Sequence, residues 1–272
     1  MDTTPVYSPG WNGRAERVGE AGLRMFSGLA QFYAFVAEIL GHGLRLQWMA
    51  RPAVLHVLVR QMYFTGVQGL PWVLTMVLAG AMAVYSVVPF AHRLNDVSLI
   101  GTLINNLLVQ EMAPLLIGVF LLARLGVAVV TEIGHMHVRG EARLLKSMGI
   151  AAPEYLFLPR FIAFGLCGLI LTMVFAAASV WTGGLMLAWT HEMDFAQFLL
   201  EVRHGASFEG MLLLLGKGLM YPLLCCAMLM FQGARAGNDP NRIPVVTTRG
   251  VLWALMLMIF ADVSIALFRI LA

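Results

Sequence analysis

The chain has 272 residues, 60% of them hydrophobic and only 12% charged, with a mean hydropathy of +0.80. A soluble domain carries about 25% charged residues, so this composition excludes a surface covered by water and makes lipid the solvent for most side chains. The net charge of +3 is too small to point to nucleic acid. Cys167, Cys225 and Cys226 all lie in apolar runs with no second Cys or His at ligand spacing, which excludes a disulfide framework and a zinc site.

In chain order, the stretch from Met1 to Gly22 is polar and Gly-rich, without the apolar core that follows a basic start in a cleaved signal peptide. Residues 1–19 are read as a flexible N-terminus. From Glu20 to Trp48 the apolar residues Phe26, Leu29, Tyr33, Val36, Leu40 and Leu44 recur at steps of three and four, while Arg24, Gln31, Glu38 and Arg45 fall on other faces. This pattern predicts an amphipathic helix in the membrane interface, and packing of the same helix against a bundle is compatible with it. A shorter helix, Pro52 to Gly66, leads out of this interfacial region of residues 20–66.

Residues 67–272 are read as a transmembrane domain. A helix needs about 20 mostly apolar residues to cross the hydrocarbon core, and backbone in lipid must satisfy its own hydrogen bonds. Because the apolar runs are continuous rather than alternating, they are helices. Five are predicted: Gly69 to Ala91, Ala113 to Val130, Tyr155 to Trp189, Phe208 to Gln232 and Gly250 to Leu271. The fold class is therefore an all-α integral membrane protein, an interfacial helix followed by five spans.

Thirteen Lys and Arg residues flank the spans on one side: Arg14, Arg17, Arg24, Arg45, Arg51 and Arg60 before the first span, Arg139, Arg143, Lys146 and Arg160 between the second and third, and Arg235, Arg242 and Arg249 between the fourth and fifth. Only Arg93, Arg203 and Arg269 flank them on the other. The asymmetry places the N-terminus in the cytoplasm and, after five crossings, the C-terminus outside. The charged connection from Thr131 to Pro153 is read as a short cytoplasmic helix of about residues 132–149, stopped by Gly149 and Pro153.

Ionisable residues inside a span cost roughly 2.5–3.5 kcal/mol each on insertion scales, so each is a functional candidate. Glu111 stands at the start of the second span and Arg124 thirteen residues later, too far to meet along one straight helix. Lys217 lies deep in the fourth span and Asp262 midway along the fifth. A Lys and an Asp on different helices can pair, either as a structural ion pair that fixes register or as a contact for a polar head group or a gate.

Enzymatic motifs fail. Gly216-Lys217-Gly218 lacks the Ser or Thr of a phosphate loop, Gly210 is one residue too far away, and the segment is intramembrane. His191-Glu192-Met193-Asp194 has no second His to complete a zinc-protease motif, and His135 and His137 sit on a solvated helix face.

Several blocks, in order, resemble the MlaE/YrbE family of permeases, subunits of ABC transporters that work with MCE lipid-binding proteins. Gly66-Val-Gln-Gly-Leu-Pro-Trp-Val-Leu74 is similar to the family segment GVxxLPxVL, and Gln110-Glu111-Met-Ala-Pro-Leu115 to REIAPL. Leu122-Ala-Arg124-Leu-Gly126 resembles AGRxG, and Thr131-Glu132-Ile-Gly134-His-Met136 resembles AELGxM. Met148-Gly149 with Tyr155-Leu-Phe-Leu-Pro159-Arg160 follows MGxxPxxYLxxPR, and Thr247-Thr248-Arg249 with Asp262 matches the last span.

The resemblance runs from about Leu55 to the C-terminus. It implies a homodimer in the bacterial inner membrane, a cytoplasmic ATPase that carries ATP and Mg on a separate chain, a periplasmic MCE protein, and phospholipids or related lipids as substrate. No cofactor belongs to this chain on that reading. The first and last spans would line the lipid cavity, with Leu74, Leu78, Tyr85, Glu111, Arg124, Lys217 and Asp262 as cavity or gating residues. The segment between spans two and three would couple to the ATPase through Glu132, His135, Arg139, Glu141, Arg143 and Lys146.

Three departures stand out. Val138-Arg-Gly-Glu-Ala-Arg-Leu-Leu145 replaces VTEQIDAL, which makes the coupling segment more basic and places a Gly where helix stability is lowered; it predicts a more acidic groove on the ATPase. Ala81-Met-Ala-Val-Tyr85-Ser-Val87 replaces GxVLALQ, and Gln110 replaces the Arg before Glu111. Two other functions fit an intramembrane acid and base: a membrane-embedded lipid-modifying enzyme, and a proton-coupled secondary transporter. Turnover of lipid without an ATPase marks the first; transport driven by a pH gradient alone marks the second.

Overall fold

The computed structural model describes residues 27–28, 30–43, 52–93, 102–141, 144, 147, 156–189, 194–236 and 239–271, and no strand occurs among them. The expected flexible N-terminus, Phe26, Leu29, Leu44, Arg143 and Lys146 lie outside the described residues. Among the described residues, five helices are long and apolar enough to cross a membrane.

Helix α1 (30–43) packs on the bundle through Phe32 and Ile39, both buried. The Phe32 ring meets Phe231 edge-on at 5.6 Å, and Phe35 lies 5.3 Å from Phe157. Tyr33 and Leu40, from the stripe read as apolar in the sequence, point outward. The helix carries two adjacent apolar stripes, and spacing alone does not say which one the bundle takes.

Helix α2 (Pro52–Met62) runs through a π-helical turn (Tyr63–Val67) into α3 (Leu70–Arg93), so the first crossing, Val54–Ser86, is a helix with a widened turn in it. Gly69 sits at this joint because a side chain there would meet the Thr65 carbonyl at 2.6 Å and the Arg124 guanidinium at 3.0 Å. Pro71, one residue into α3, lacks an N–H that the helix start would leave unbonded in any case.

The second crossing begins earlier than hydropathy suggests. A π-helical stretch (Ile104–Met112) leads directly into α4 (Ala113–Val138). Pro114 is tolerated in α4 because it occupies the first turn. At its other end α4 runs on to Val138, and Gly140 then takes φ 72°, a left-handed conformation that only Gly adopts at little cost. The expected coupling helix of 132–149 is therefore not one element. Its first two turns are the end of the second span, and Gly140 breaks the chain instead of lying in a helix interior. Hydropathy could not reveal this, since a helix continues past the membrane wherever its residues allow it.

Helix α5 (Leu158–Trp189) is the third crossing, followed by the short α6 (Phe195–Gly205), capped by the Asp194 side chain. Helix α7 (Phe208–Ala234), capped by Ser207, is the fourth, and α8 (Ile243–Leu271) the fifth. The fifth starts seven residues before the predicted Gly250, after a 3₁₀ turn (Pro240–Arg242) capped by Asp239.

Helix α4 packs along α7, α3 along α5, and α8 against both α7 and α4. Lipid offers no hydrophobic drive between helices, so close approach at small residues has to supply the packing. Gly168 of α5 seats Pro222 of α7, where a Cβ would come within 2.3 Å of the proline ring. Gly80 of α3 seats Ser179 of α5 at a similar 2.2 Å. The core beneath these contacts is filled by Ile117, Leu121, Phe164, Leu171, Phe175 and Tyr221. The three cysteines are free and buried, Cys225 and Cys226 within this core.

Candidate functional site

Lys217 lies in the interior of α7, 1% exposed, where its ammonium has no water to hydrate it. Two carboxylates take the place of that water. Its Nζ donates to Asp262 Oδ1 at 2.9 Å and also to Glu111 Oε2. Tyr221, one helical turn from Lys217 on the same face of α7, donates its hydroxyl to the same Asp262 oxygen. One cation, two carboxylates and a phenol thus join α7, α8 and the π-helical start of the second crossing.

Local structure explains how three helices reach one point. Gly118 of α4 lets Met258 of α8 approach so closely that a Cβ would lie 2.6 Å from the sulfur. Asp262 is one turn beyond Met258 and is thereby brought to α7. Glu111 reaches Lys217 from inside the crossing, since that span begins at Ile104 rather than Ala113. A π-helical stretch is uncommon and often sits at functional sites; here it carries both Gln110 and Glu111. Gln110 is buried against Gly210, with its Nε2 donating to Asn106 Oδ1 at 3.2 Å and its Oε1 without a partner among the described residues.

The other cavity and gating candidates do not join this network. Leu74 and Leu78 lie on the outward face of α3, and Tyr85 packs on a smaller core cluster around Val84, Leu108 and Phe198. Arg124 rests against the joint between α2 and α3, with its Nη1 buried and unpartnered among the described residues.

Of the coupling candidates, Glu132 is half-exposed and accepts at its Oε2 from Arg160 Nη2 at 2.6 Å. Arg160, counted by sequence among the flanking charges, is 4% exposed at the start of α5. His135 and Arg139 are exposed near the end of α4, and Arg139 stands 3.8 Å from Glu141 across the Gly140 break. Tyr221 and the Arg160–Glu132 pair were not legible as site features. A Tyr four residues from an intramembrane Lys was the available signal for the first; for the second, a separation of 28 positions hid the pairing.

The network has no imidazole, and its two donors, Lys217 and Tyr221, are both engaged by carboxylates. It ties three helices at one point, so any movement that separates them breaks an ion pair whose cation is buried. Glu111, with 30% of its side chain exposed, is its most accessible member.

These features define a polytopic α-helical membrane protein with an ion network buried between its crossings. Residues 58–268 match the Permease MlaE family, and the chain belongs to that family. A probable ABC transporter permease protein of Rickettsia felis is 24% identical over 213 residues, covering 78% of this chain and 82% of the relative. One from Rickettsia bellii is 27% identical over 151 residues, 55% of this chain and 56% of the relative. The intermembrane phospholipid transport system permease protein MlaE of Haemophilus influenzae is 24% identical over 213 residues, 76% of this chain and 80% of the relative. The chain is thus an ABC-transporter permease, a transport component and not an enzyme.

Proposed function

We propose that this chain is the permease subunit of an ABC transporter that moves phospholipids or related lipids between the bacterial inner membrane and a periplasmic MCE lipid carrier. The family match over residues 58–268 carries this reading, and the phospholipid-transport name of the Haemophilus relative supports its substrate class. Two copies would face each other, with the outward apolar residues Leu74 and Leu78 of α3 and Tyr85 behind them lining a lipid cavity shared with α8. A large exposed apolar face on α8, including Met256, Phe260 and Val263, supports its role as a cavity or copy-facing helix.

The N-terminus would be cytoplasmic and the C-terminus periplasmic, following the basic flanks. A separate cytoplasmic ATPase, loaded with ATP and Mg, would dock around the Gly140 break on Glu132, His135, Arg139, Glu141, Arg143 and Lys146, through an acidic groove of its own. Glu111, Lys217 and Asp262 would act as the register lock that ATP-driven movement opens and closes, and Arg124 would steady the joint at the foot of the first crossing.

Affinity purification of the tagged chain from its native membranes tests the assignment. Recovery of an ATPase and an MCE protein with bound phospholipid is the expected result. A lone, lipid-free chain, or lipid chemistry without an ATPase, would overturn it.

A further inference from the structure

Between α2 with its π-helical turn, α4 and α5 lies a cavity of about 420 Å³, none of whose lining residues belongs to the Lys217 network. Its polar wall is Arg60, Gln61 and Thr65 from the first crossing, Glu132 from α4 and Arg160 from α5. Two guanidinium groups face one carboxylate there, which leaves an excess of one positive charge.

The buried partner sets what the cavity lacks. Arg160 spends only Nη2 on Glu132, at 2.6 Å, while its Nε–H is buried with no acceptor among the described residues. A buried donor left unmet costs about 1–3 kcal/mol, more when the group is charged. Arg60 has no acidic partner among the described residues; its guanidinium lies over the Phe64 ring at 5.8 Å. The unmet buried group is a donor and the unmatched charge is positive, so the complement is an anionic acceptor. Guanidinium suits phosphate because its planar fork offers several N–H groups at once.

The surroundings specify the source of that phosphate. Val59, Tyr63 and Phe64 are exposed apolar residues on the same helix and turn as Arg60, in a segment apolar enough to span a membrane. The inner wall, with Leu125, Val129 and Phe164, is apolar as well. An occupant with a phosphate at one end and a hydrocarbon body matches both parts.

We propose that this cavity binds the phosphodiester head group of one membrane phospholipid between Arg60 and Arg160, with its acyl chains laid along Tyr63 and Phe64. The lipid supplies the acceptor that Glu132 leaves out and ties α2 to α4 and α5. The site needs neither transport nor the ATPase, so it stands or falls separately from the function proposed above.

Native mass spectrometry of the purified full chain tests it with dioleoyl phosphatidylglycerol, the matching diacylglycerol and glycerol 3-phosphate as probes. One phosphatidylglycerol per chain is expected to be retained, with the other two at least about tenfold weaker, the ratio that a lost contact of about 1.4 kcal/mol produces. Arg60→Gln, at an exposed position, is expected to weaken phosphatidylglycerol by a similar factor. Arg160→Lys keeps a cation for Glu132 but removes the Nε donor, and is expected to do the same without lowering the thermal midpoint. Arg242→Gln, in the separate basic cleft formed with Arg235 and Arg249, should leave retention unchanged.

Equal retention of diacylglycerol, or full retention of phosphatidylglycerol in Arg60→Gln, overturns the proposal. So does a loss carried by Arg242→Gln, which would move the lipid to the other cleft. Equal binding of glycerol 3-phosphate would make this a site for a soluble phosphate. If Arg160→Lys does not fold, Arg60→Gln decides the matter alone.

Discussion

Two charged clusters lie between the helices of this permease, and they are built on opposite plans. In the first, the single cation Lys217 is almost wholly buried and is met by Glu111 and Asp262, with Tyr221 adding a further donor to Asp262. In the second, Arg160 is equally buried but shares only one of its nitrogens with a half-exposed Glu132. The first is closed on itself and rich in acceptors. The second is open and short of them. Removing one partner from a buried pair leaves an uncompensated charge, whereas an open pair can borrow a replacement from water or a ligand. The two clusters thus use the same residue chemistry and differ in how completely the cation is surrounded.

The hardest test of the closed cluster is Lys217→Met, which keeps the side-chain volume but strands two carboxylates. It is expected to cost about 3–5 kcal/mol, seen as a large drop in thermal midpoint or a loss of monodisperse protein in detergent. The triple variant Glu111→Gln, Lys217→Met and Asp262→Asn removes every charge together and should recover most of that loss. If the triple is as unstable as the single, helix register depends on something other than charge compensation. Transport by the recovered triple, reconstituted with its partners, would separate gating from simple bracing.

Asp262→Asn is a milder change. It keeps an acceptor for Tyr221 but reduces a charge-assisted contact to a neutral one, with an expected loss of about 1.5–3 kcal/mol. Thermal unfolding monitored by the fluorescence of a thiol-reactive dye at the buried cysteines reads this directly.

Across at the open cluster, Glu132→Gln should cost only about 1 kcal/mol, because an amide oxygen still accepts from Arg160 and the site is accessible from outside. A loss as large as that of Lys217→Met would erase the distinction between the two clusters. Smallest of all is Tyr221→Phe. It removes one donor while Lys217 continues to hold Asp262, and a shift of about 1 kcal/mol or less in thermal stability is expected.

Much of the architecture was legible in the chain because lipid imposes a simple demand. Each crossing has to be a long, continuous apolar run that closes its own hydrogen bonds, and five such runs appeared, although the first crossing starts at Val54 rather than Gly69. The ends of the crossings were less clear. Ile104–Met112 contains two Asn, a Gln and a Glu, so hydropathy sees a loop where the backbone continues as a π-helical stretch. Likewise α4 runs past Thr131 through Glu132 and two His residues because Arg160 pairs with Glu132 and His135 is exposed, and not because the segment is apolar.

The candidate site divides along the same line. Glu111, Lys217 and Asp262 were conspicuous in sequence because charge in a span is costly and therefore rare. That all three meet, and that Tyr221 joins them, depends on the close approach of α4 and α8 at Gly118 and Met258. Leu74, Leu78 and Tyr85 were nominated for a cavity, and within one chain they simply face outward or pack locally.

Sequence by itself determined that this protein lives in a membrane, crosses it five times as helices, and carries a few expensive charges in its interior, since each follows from the transfer of residues from water to lipid. Tertiary structure decided which of those charges are compensated and which are left wanting. The compensation of a buried ion is fixed by the residues that surround it in space, and those come from other helices at positions set by packing.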